Sequence, residues 1–560
     1  MKSILKKYWG FDEYLPLQEE AIESVLAGRD SIVVLPTGGG KSLCFQAPAL
    51  ALDGLAVIIS PLISLMKDQV DALDEWGVPA ARIDSTLTAR EKSDTFSRIR
   101  KGEIRIVYLS PERVIAEGFT DFLRDTKLSF IAIDEAHCIS HWGHDFRPEY
   151  RQLGKLKEIF PGIGIHAYTA TATEPVRNDI ARQLNLKDPK ILVGSFDRPN
   201  LIYRAGFRTD RLGQVRKVLD RHPGESGIIY CIRRKDVDDL CGTLCRAGYR
   251  AAPYHAGMSD NDRKKSQDDF IEEKVDIIVA TIAFGMGIDK SNVRYVIHTG
   301  MPKSLEHYQQ ESGRAGRDGL EAECLLFYSG GDYAVWKGLM REMQPEVLTI
   351  AVEKLNRIYD YCTGITCRHR ALLEYFGQTL GKDNCGACDV CLDELKLLDD
   401  ALVTAQKILS CVVRLKERFG ADYTAQVLIG SRDQRILDNS HDSVTTYAIL
   451  SDQPRNAVRS WIEQLVAQGY IIKSPEYDVL GVTPSGWRVM RGEETPRLLR
   501  PPEKKARAAV SRVIEDSWDG VDRGLFDVLR ELRRKLADGK NVPAYIVFGD
   551  AALRDMARRR

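Results

Sequence analysis

The segment VVLPTGGGKSLCFQ (33–46) sets Thr37 and three glycines, Gly38, Gly39 and Gly40, directly before Lys41 and Ser42. Glycines in a row let backbone N–H groups curl around phosphate oxygens, and a helix starting there adds a favourable dipole. Lys41 would reach the β- and γ-phosphates, and Ser42 would hold Mg²⁺. The simple pattern G-x-x-x-x-G-K-[ST] departs at its first position, which is Leu35, while Gly38 and Gly39 supply the same flexibility. The plain alternative is a tight strand–helix turn with an incidental lysine. Further along, Asp134 and Glu135 close the apolar run FIAI. An Asp at such a strand end can complete a Mg²⁺ shell, and its neighbour can orient the attacking water of a nucleoside triphosphatase. ESGRAGRDG (311–319) supplies the cations: Arg314 and Arg317 are three apart, so a helix would present both on one face. Either could serve as an arginine finger, a contribution of order 10³–10⁵ in rate.

The acid pair opens DEAHCISHWGHDFRPEY (134–150), which also carries Trp142, His144, Phe146 and Arg147. An exposed aromatic face stacks on an unpaired base for about 1–3 kcal/mol, and Arg adds a phosphate or cation–π contact. A loop of this kind beside Glu135 could sense a single strand and adjust hydrolysis. Two alternatives stand next to that reading. His137, His141 and His144 could ligate a metal, or Trp142 and Phe146 could be core residues beneath a loop.

These residues need elements to hold them. Short apolar runs, SIVVLP (31–36), AVIISP (56–61), IRIVYLSP (104–111), FIAIDEA (130–136), GIIYC (227–231), DIIVAT (276–281) and RYVIHTG (294–300), alternate with amphipathic segments. Continuous Val/Ile runs bounded by Gly, Pro or Ser read as strands of a parallel sheet buried on both faces. The region is too long for one sheet, so the fold class is α/β with two such domains, 1–200 and 201–332. Helical spacing follows in 333–395, then a helical and short-strand segment over 400–492 and a linker over 493–517, including RLLRPPEKKARAAV (497–510). Leu525, Leu529, Leu532 and Leu536 form a helical stripe in the final segment, 518–560, which reads as the front of a domain.

Composition bounds the partners. The 560 residues carry 80 Lys+Arg and 80 Asp+Glu, so any basic surface must be local. No run of about 18 apolar residues predicts a membrane span, and the start lacks a secretory core. Twelve cysteines at this length suit a reducing compartment, and a cytoplasmic protein is expected. Five of them cluster, and CRHRALLEYFGQTLGKDNCGACDVC (367–391) has the spacing C-x17-C-x2-C-x2-C. Two consecutive C-x2-C turns fit tetrahedral Zn²⁺, with Cys362 and His369 competing for the first position.

LPTGGGKS, SPLISLMKDQV, DEAHCISHWGHDFRPEY, YTATAT, YHAGM, VATIAFGMGID and QQESGRAGRDG together resemble the RecQ family of superfamily-2 DNA helicases. The resemblance implies two RecA-like domains, a zinc-binding helical domain, a winged helix and a partial HRDC domain. It implies an ATP- and Mg²⁺-dependent 3′-to-5′ DNA helicase of recombination, repair and replication, acting where a single-stranded tail meets a duplex. Gln18 resembles the glutamine that reads adenine and Phe11 the ring stacked on it; Leu15 stands where Arg is usual. Thr169 and Thr171 resemble the link between nucleotide cleft and DNA. Cys367, Cys385, Cys388 and Cys391 match the zinc ligands, and Tyr477, in the turn SPEY (474–477), resembles a strand-separating ring. His141 replaces Gln, Ile232-Arg233 replace Asn-Ser, and Ala448 replaces Gly. A single-stranded-DNA-binding protein at the winged helix is a further expected partner, and the nucleoid the expected place. A strand clamp or annealing protein and an RNA helicase are the alternative functions.

Overall fold

In the computed structural model, residues 1–116, 118–143, 145–285, 290–474, 479–500, 518–540 and 542–559 are described. Two parallel sheets dominate. The first holds β1 (Ser31–Val34), β2 (Leu55–Ile59), β3 (Ala80–Ile83), β4 (Ile106–Leu109), β5 (Leu128–Ile133), β6 (Ile165–Thr169) and β7 (Lys190–Val193), in the order β3-β4-β2-β5-β6-β1-β7. The second holds β8 (Leu201–Phe207), β9 (Ser226–Tyr230), β10 (Ala251–Tyr254), β11 (Ile277–Ala280), β12 (Val293–His298) and β13 (Ala322–Tyr328), in the order β10-β11-β9-β12-β13-β8.

The interior strands are wholly buried: every residue of β2, LAVII, and of β11, IIVA, lies in the core. Helices on both faces cover them, and β-branched side chains pack the pleated surface from either side. Strands that are only partly buried are mostly found at edges. β3 and β7 border the first sheet, and β10 carries Pro253 at the rim of the second, where a missing N–H leaves no ladder bond unmade.

This order places the chemistry. β5, β6 and β1 are neighbours, so their carboxyl ends bring Asp134–Glu135, Thr169 and the glycine turn to one crevice, the usual ligand position of an open α/β sheet.

The other edge of the second sheet is sealed. Main-chain bonds from Tyr203 N to Ala387 O (3.1 Å) and from Asp389 N to Tyr203 O (3.0 Å) weld the cysteine knuckle onto β8. Buried Arg368 grips Asp389 at 2.8 Å, and Asp389 accepts from Ala205 N at 2.9 Å. The helices Pro345–Thr363 and Arg368–Tyr375 lead into that knuckle.

The winged helix follows as expected, with helix Arg455–Ala467 and an antiparallel pair, β14 (Ile471–Lys473) and β15 (Leu480–Val482). The linker expectation needs correcting at its start. Leu498 is buried beside Trp461, whose Nε1 donates to Leu499 O at 2.8 Å, so 497–500 belong to the winged-helix core. Residues 501–517 of that stretch lie outside the described residues. In the last segment Phe526, Leu553 and Ala557 make a small core with Leu525 and Leu529, while Leu532 and Leu536 stay exposed. The segment leans on the second sheet's lobe: Arg530 donates to Gly224 O at 3.1 Å, and Arg554 pairs with Glu321 at 3.5 Å.

Candidate functional site

β1 runs into the glycine turn and the helix Lys41–Ala51. Gly38 (φ 85°) and Gly40 (φ 68°) adopt the left-handed backbone, and a Cβ on Gly40 would collide with Gln18 Nε2. Glycine is required there because the loop is clamped from outside. Gln18, itself buried, donates from Nε2 to Gly40 O at 3.1 Å and accepts from Leu15 N at 2.9 Å. Phe11, nearby in sequence, is 56% exposed. Lys41 Nζ folds onto Leu35 O at 3.1 Å. Burial pushes its ammonium below the usual range, against the pull of Glu135 and Asp134. Ser42 sits in the first turn of the same helix.

Asp134 and Glu135 follow β5. Burial raises the Asp134 carboxyl, and burial together with Asp134 pushes Glu135 up to about 7. Glu135 also has φ 47°, a left-handed strain typical of functional sites. Its buried Oε2 makes no hydrogen bond among the described residues, though His137 Nδ1 lies 3.3 Å away. His137 Nδ1 in turn meets Thr169 Oγ1 at 2.8 Å, and Thr169 Oγ1 lies 3.3 Å from both the nitrogen and the carbonyl oxygen of Thr171. The acid pair therefore reaches the TAT segment through one imidazole, which burial holds neutral with a pKa near 3.

The turn bearing Arg314 and Arg317 comes to the glycine turn from the other lobe, with Arg317 against it. The two arginines do not share a helix face: the helix Leu305–Ser312 ends first, and a turn carries both. Gly316 (φ 55°) and Gly319 (φ 80°) take left-handed backbone there that helix cannot accommodate. Arg317 Cγ lies 3.5 Å from the Cβ position of Gly38, and Thr37 Cβ 3.4 Å from that of Gly313. Arg198, between β7 and β8, joins the two loops. It donates to Thr37 O (3.1 Å), Gly313 O (3.4 Å), Ala315 O (3.1 Å) and Gly316 O (2.9 Å). SFDRPN marked only a boundary in the sequence. An arginine inside an interlobe connection was the available signal.

In the aromatic-rich loop Trp142 is 46% exposed, which removes the core alternative for it. Phe146 lies between His141, 4.1 Å from ring to ring, and Arg151, 5.5 Å above it. Arg147 donates to Pro61 O at 3.2 Å and pairs with Asp145 at 3.3 Å, so it braces the loop. The Trp142 carbonyl accepts from Lys354 Nζ at 2.6 Å. His144 and Tyr477 lie outside the described residues.

The sulfurs of Cys367, Cys385, Cys388 and Cys391 lie within 4.8 Å of one another, the single group of metal-binding geometry among the described residues. The donor set fits zinc: Ala387 N–H points to Cys385 Sγ at 3.3 Å and Cys391 N–H to Cys388 Sγ at 3.4 Å, contacts that favour thiolate. His369 is engaged elsewhere, by Asp197 at 2.8 Å and Leu201 O at 3.0 Å. Cys362 is buried in the preceding helix, outside that group. His137 and His141 join no metal group among the described residues, and the third member of that alternative, His144, lies outside them.

Comparison with known proteins decides the family. Residues 15–179 match the DEAD/DEAH box helicase family, 210–319 the helicase conserved C-terminal domain, 330–392 the RecQ zinc-binding family, 397–507 the RQC domain and 522–560 the HRDC domain. The ATP-dependent DNA helicase RecQ of Pasteurella multocida is 43% identical over 558 residues, covering 99% of this chain and 88% of that protein. The chain belongs to the RecQ family of DNA helicases. The RecQ helicase of Bacillus subtilis is 39% identical across 100% of this chain and 93% of its own. The DEAD-box helicase Mss116, solved bound to ssRNA and UDP-BeF, shares the fold, with TM-score 0.51 and 19% identity over 65% of this chain and 83% of that one. This RecQ-family protein is an ATP-dependent DNA helicase that uses Mg²⁺ and binds zinc. No described helix is long and apolar enough to cross a membrane.

Proposed function

We propose that this helicase hydrolyses ATP at the seam between its lobes and makes that hydrolysis depend on single-stranded DNA through the aromatic-rich loop. Phe11 and Gln18 meet the base, and Thr37, Gly38, Gly39 and Gly40 cradle the phosphates. Lys41 reaches the terminal ones. Ser42 and Asp134 would hold Mg²⁺, which would neutralise charge on the phosphates. Glu135 orients the attacking water with its carboxylate, whose Oε2 makes no hydrogen bond among the described residues. Arg314 and Arg317 stabilise charge on the transferring phosphoryl group.

The observation that carries this reading is the four-carbonyl grip of Arg198, which holds the phosphate loop and the arginine loop together. Trp142 stacks on an unpaired base, with Phe146, Arg147 and His144 shaping the loop. Thr169 and Thr171 carry the state of Glu135 towards the DNA side through His137. Cys367, Cys385, Cys388 and Cys391 hold the zinc, and Tyr477 parts the strands at the wing.

We divide the chain into lobes 1–200 and 201–332, a zinc-binding domain 333–395, a winged helix 400–492 with residues to 500 packed on it, and an HRDC segment 518–560. Movement is 3′ to 5′, in recombination, repair and replication, on a tail-and-duplex junction. A single-stranded-DNA-binding protein docks on the winged helix, and the enzyme works on the nucleoid in the cytoplasm.

A fork with a single tail tests the polarity. Strand displacement is expected with ATP on a 3′ tail and not on a 5′ tail; equal displacement from both would remove the polarity, and displacement without ATP would remove the motor.

A further inference from the structure

The aromatic-rich loop is held by more than its own lobe. Lys354, on the helix Pro345–Thr363, donates from Nζ to the Trp142 carbonyl at 2.6 Å and pairs at 2.7 Å with Glu306. Glu306 is buried on the helix Leu305–Ser312 of the second lobe, and that helix runs directly into the turn bearing Arg314 and Arg317. One ammonium thus joins three parts of the chain: the loop beside the hydrolytic acids, the zinc-bearing helices and the helix in front of the arginines.

We propose that Lys354 is a positioning residue that transmits the state of the aromatic-rich loop to the arginine turn, so that DNA at Trp142 sets how Arg314 and Arg317 meet the nucleotide. The inference rests on the proposed roles of Trp142 and of the two arginines. Its physical basis is an asymmetry between the two ends of the contact. Glu306 is taken out of water; burial opposes its charge, and Lys354 outweighs that opposition, holding the carboxyl below its usual range. A buried carboxylate cannot give up its counter-ion without being stranded, so Lys354 stays with the second lobe. The other bond goes to a main-chain carbonyl beside an exposed indole, where water can replace it. A shift of the loop therefore makes or breaks the Trp142 end while the Glu306 end holds. Because the acceptor is backbone, Lys354 registers where the loop is, whichever base lies on the ring. The same ammonium also acts on His137, after burial and Asp145, and His137 lies 3.3 Å from Glu135.

The test measures ATP hydrolysis by the full chain with and without single-stranded oligonucleotide. Lys354→Met removes the ammonium and keeps the stem. Lys354→Met with Glu306→Gln also removes the stranded carboxylate, so a folding defect in the single variant does not decide the result. Both are expected to hydrolyse ATP at the wild-type rate without DNA and to lose stimulation by about tenfold, within the range of site-to-site coupling. Lys354→Arg, which can make both bonds, is expected to restore most of it. The double variant showing full stimulation would overturn the proposal, since a packing role alone predicts that recovery. An equal loss of DNA-free hydrolysis would overturn it too. Trp142→Ala separates the readings. Full stimulation in that variant removes the loop's sensing role, whereas loss there with full stimulation in the double variant removes only Lys354.

Discussion

Leu17 (φ 66°) next to Gln18, Glu135 (φ 47°) in the acid pair and Ala448 (φ 59°) in the winged helix are among the non-glycine residues whose left-handed backbone their side chains resist. The first two flank the nucleotide crevice, where strain can be held for function. Ala448 has no such role, stands where the family usually carries Gly, and faces Gly430, whose Cβ would lie 2.7 Å from its own. A non-glycine residue in this region loses about 1–2 kcal/mol, partly offset by the added freedom glycine gives the unfolded chain. Ala448→Gly should therefore stabilise the winged helix by about 0.5–1 kcal/mol, read as a higher urea midpoint; a lower midpoint would refute the strain. Other departures from the family also become intelligible at this scale. Ile232 Cδ1 lies 2.7 Å from the Cβ position of Gly300, so the isoleucine fills space that only glycine leaves open. His141 lies tilted against Phe146, 4.1 Å from ring to ring. Residue types and spacing single out Lys41, the acid pair and the four cysteines because each proposed chemistry demands them locally, and the structure gathers the four sulfurs. Arg198 escaped because its partners are main-chain carbonyls far away in sequence, which leave no mark on a sequence, and Lys354 because it joins one such carbonyl to a distant acid.

Among elements, the strands legible in the sequence were chiefly those buried on both faces, where every residue must be apolar. β3 and β7 at the edges, β10 with its proline, and β6 with buried His166 do not read as uniform Val/Ile runs. The arginine turn was read as potential helix because spacing alone does not register Gly316 and Gly319 as stops. The zinc knuckle matters to the sheet it borders. It closes the β8 edge through Tyr203, and Arg368–Asp389 ties it to Ala205. Structural zinc contributes folding energy directly, about 10–16 kcal/mol in small peptides. Cys388→Ser, or dialysis against a chelator, should lower the melting temperature of the second lobe before it alters nucleotide binding. Unchanged melting would mean that the four thiols hold the knuckle without metal.

At the scale of the molecule, equal numbers of acids and bases conceal local imbalances that folding creates. His166 is buried between the strands of the first lobe, and burial pushes it down to about 4. At His222 burial opposes the charge, but Glu225 at 2.6 Å and Glu323 at 3.5 Å outweigh it and lift the imidazole to about 9. An unfolded histidine titrates near 6.5. Below that value the unfolded chain takes up a proton that folded His166 refuses, so stability falls as pH drops from about 6.5 towards 4. Above it the unfolded chain releases a proton that folded His222 keeps, so the stability His222 adds is lost as pH rises from about 6.5 to 9. A tenfold difference in proton affinity between the folded and unfolded chains is worth about 1.4 kcal/mol. Urea midpoints should therefore peak near neutrality, His166→Asn flattening the acid side and His222→Asn the basic side; a profile unaffected by either substitution would contradict the assignment. The central claim is that the seam between the lobes is switched by the strand beside it. Its most direct measurement is steady-state ATP hydrolysis by the purified protein with Mg²⁺, with and without single-stranded DNA. The rate should rise severalfold when DNA is added; the same rate in both conditions would contradict the account.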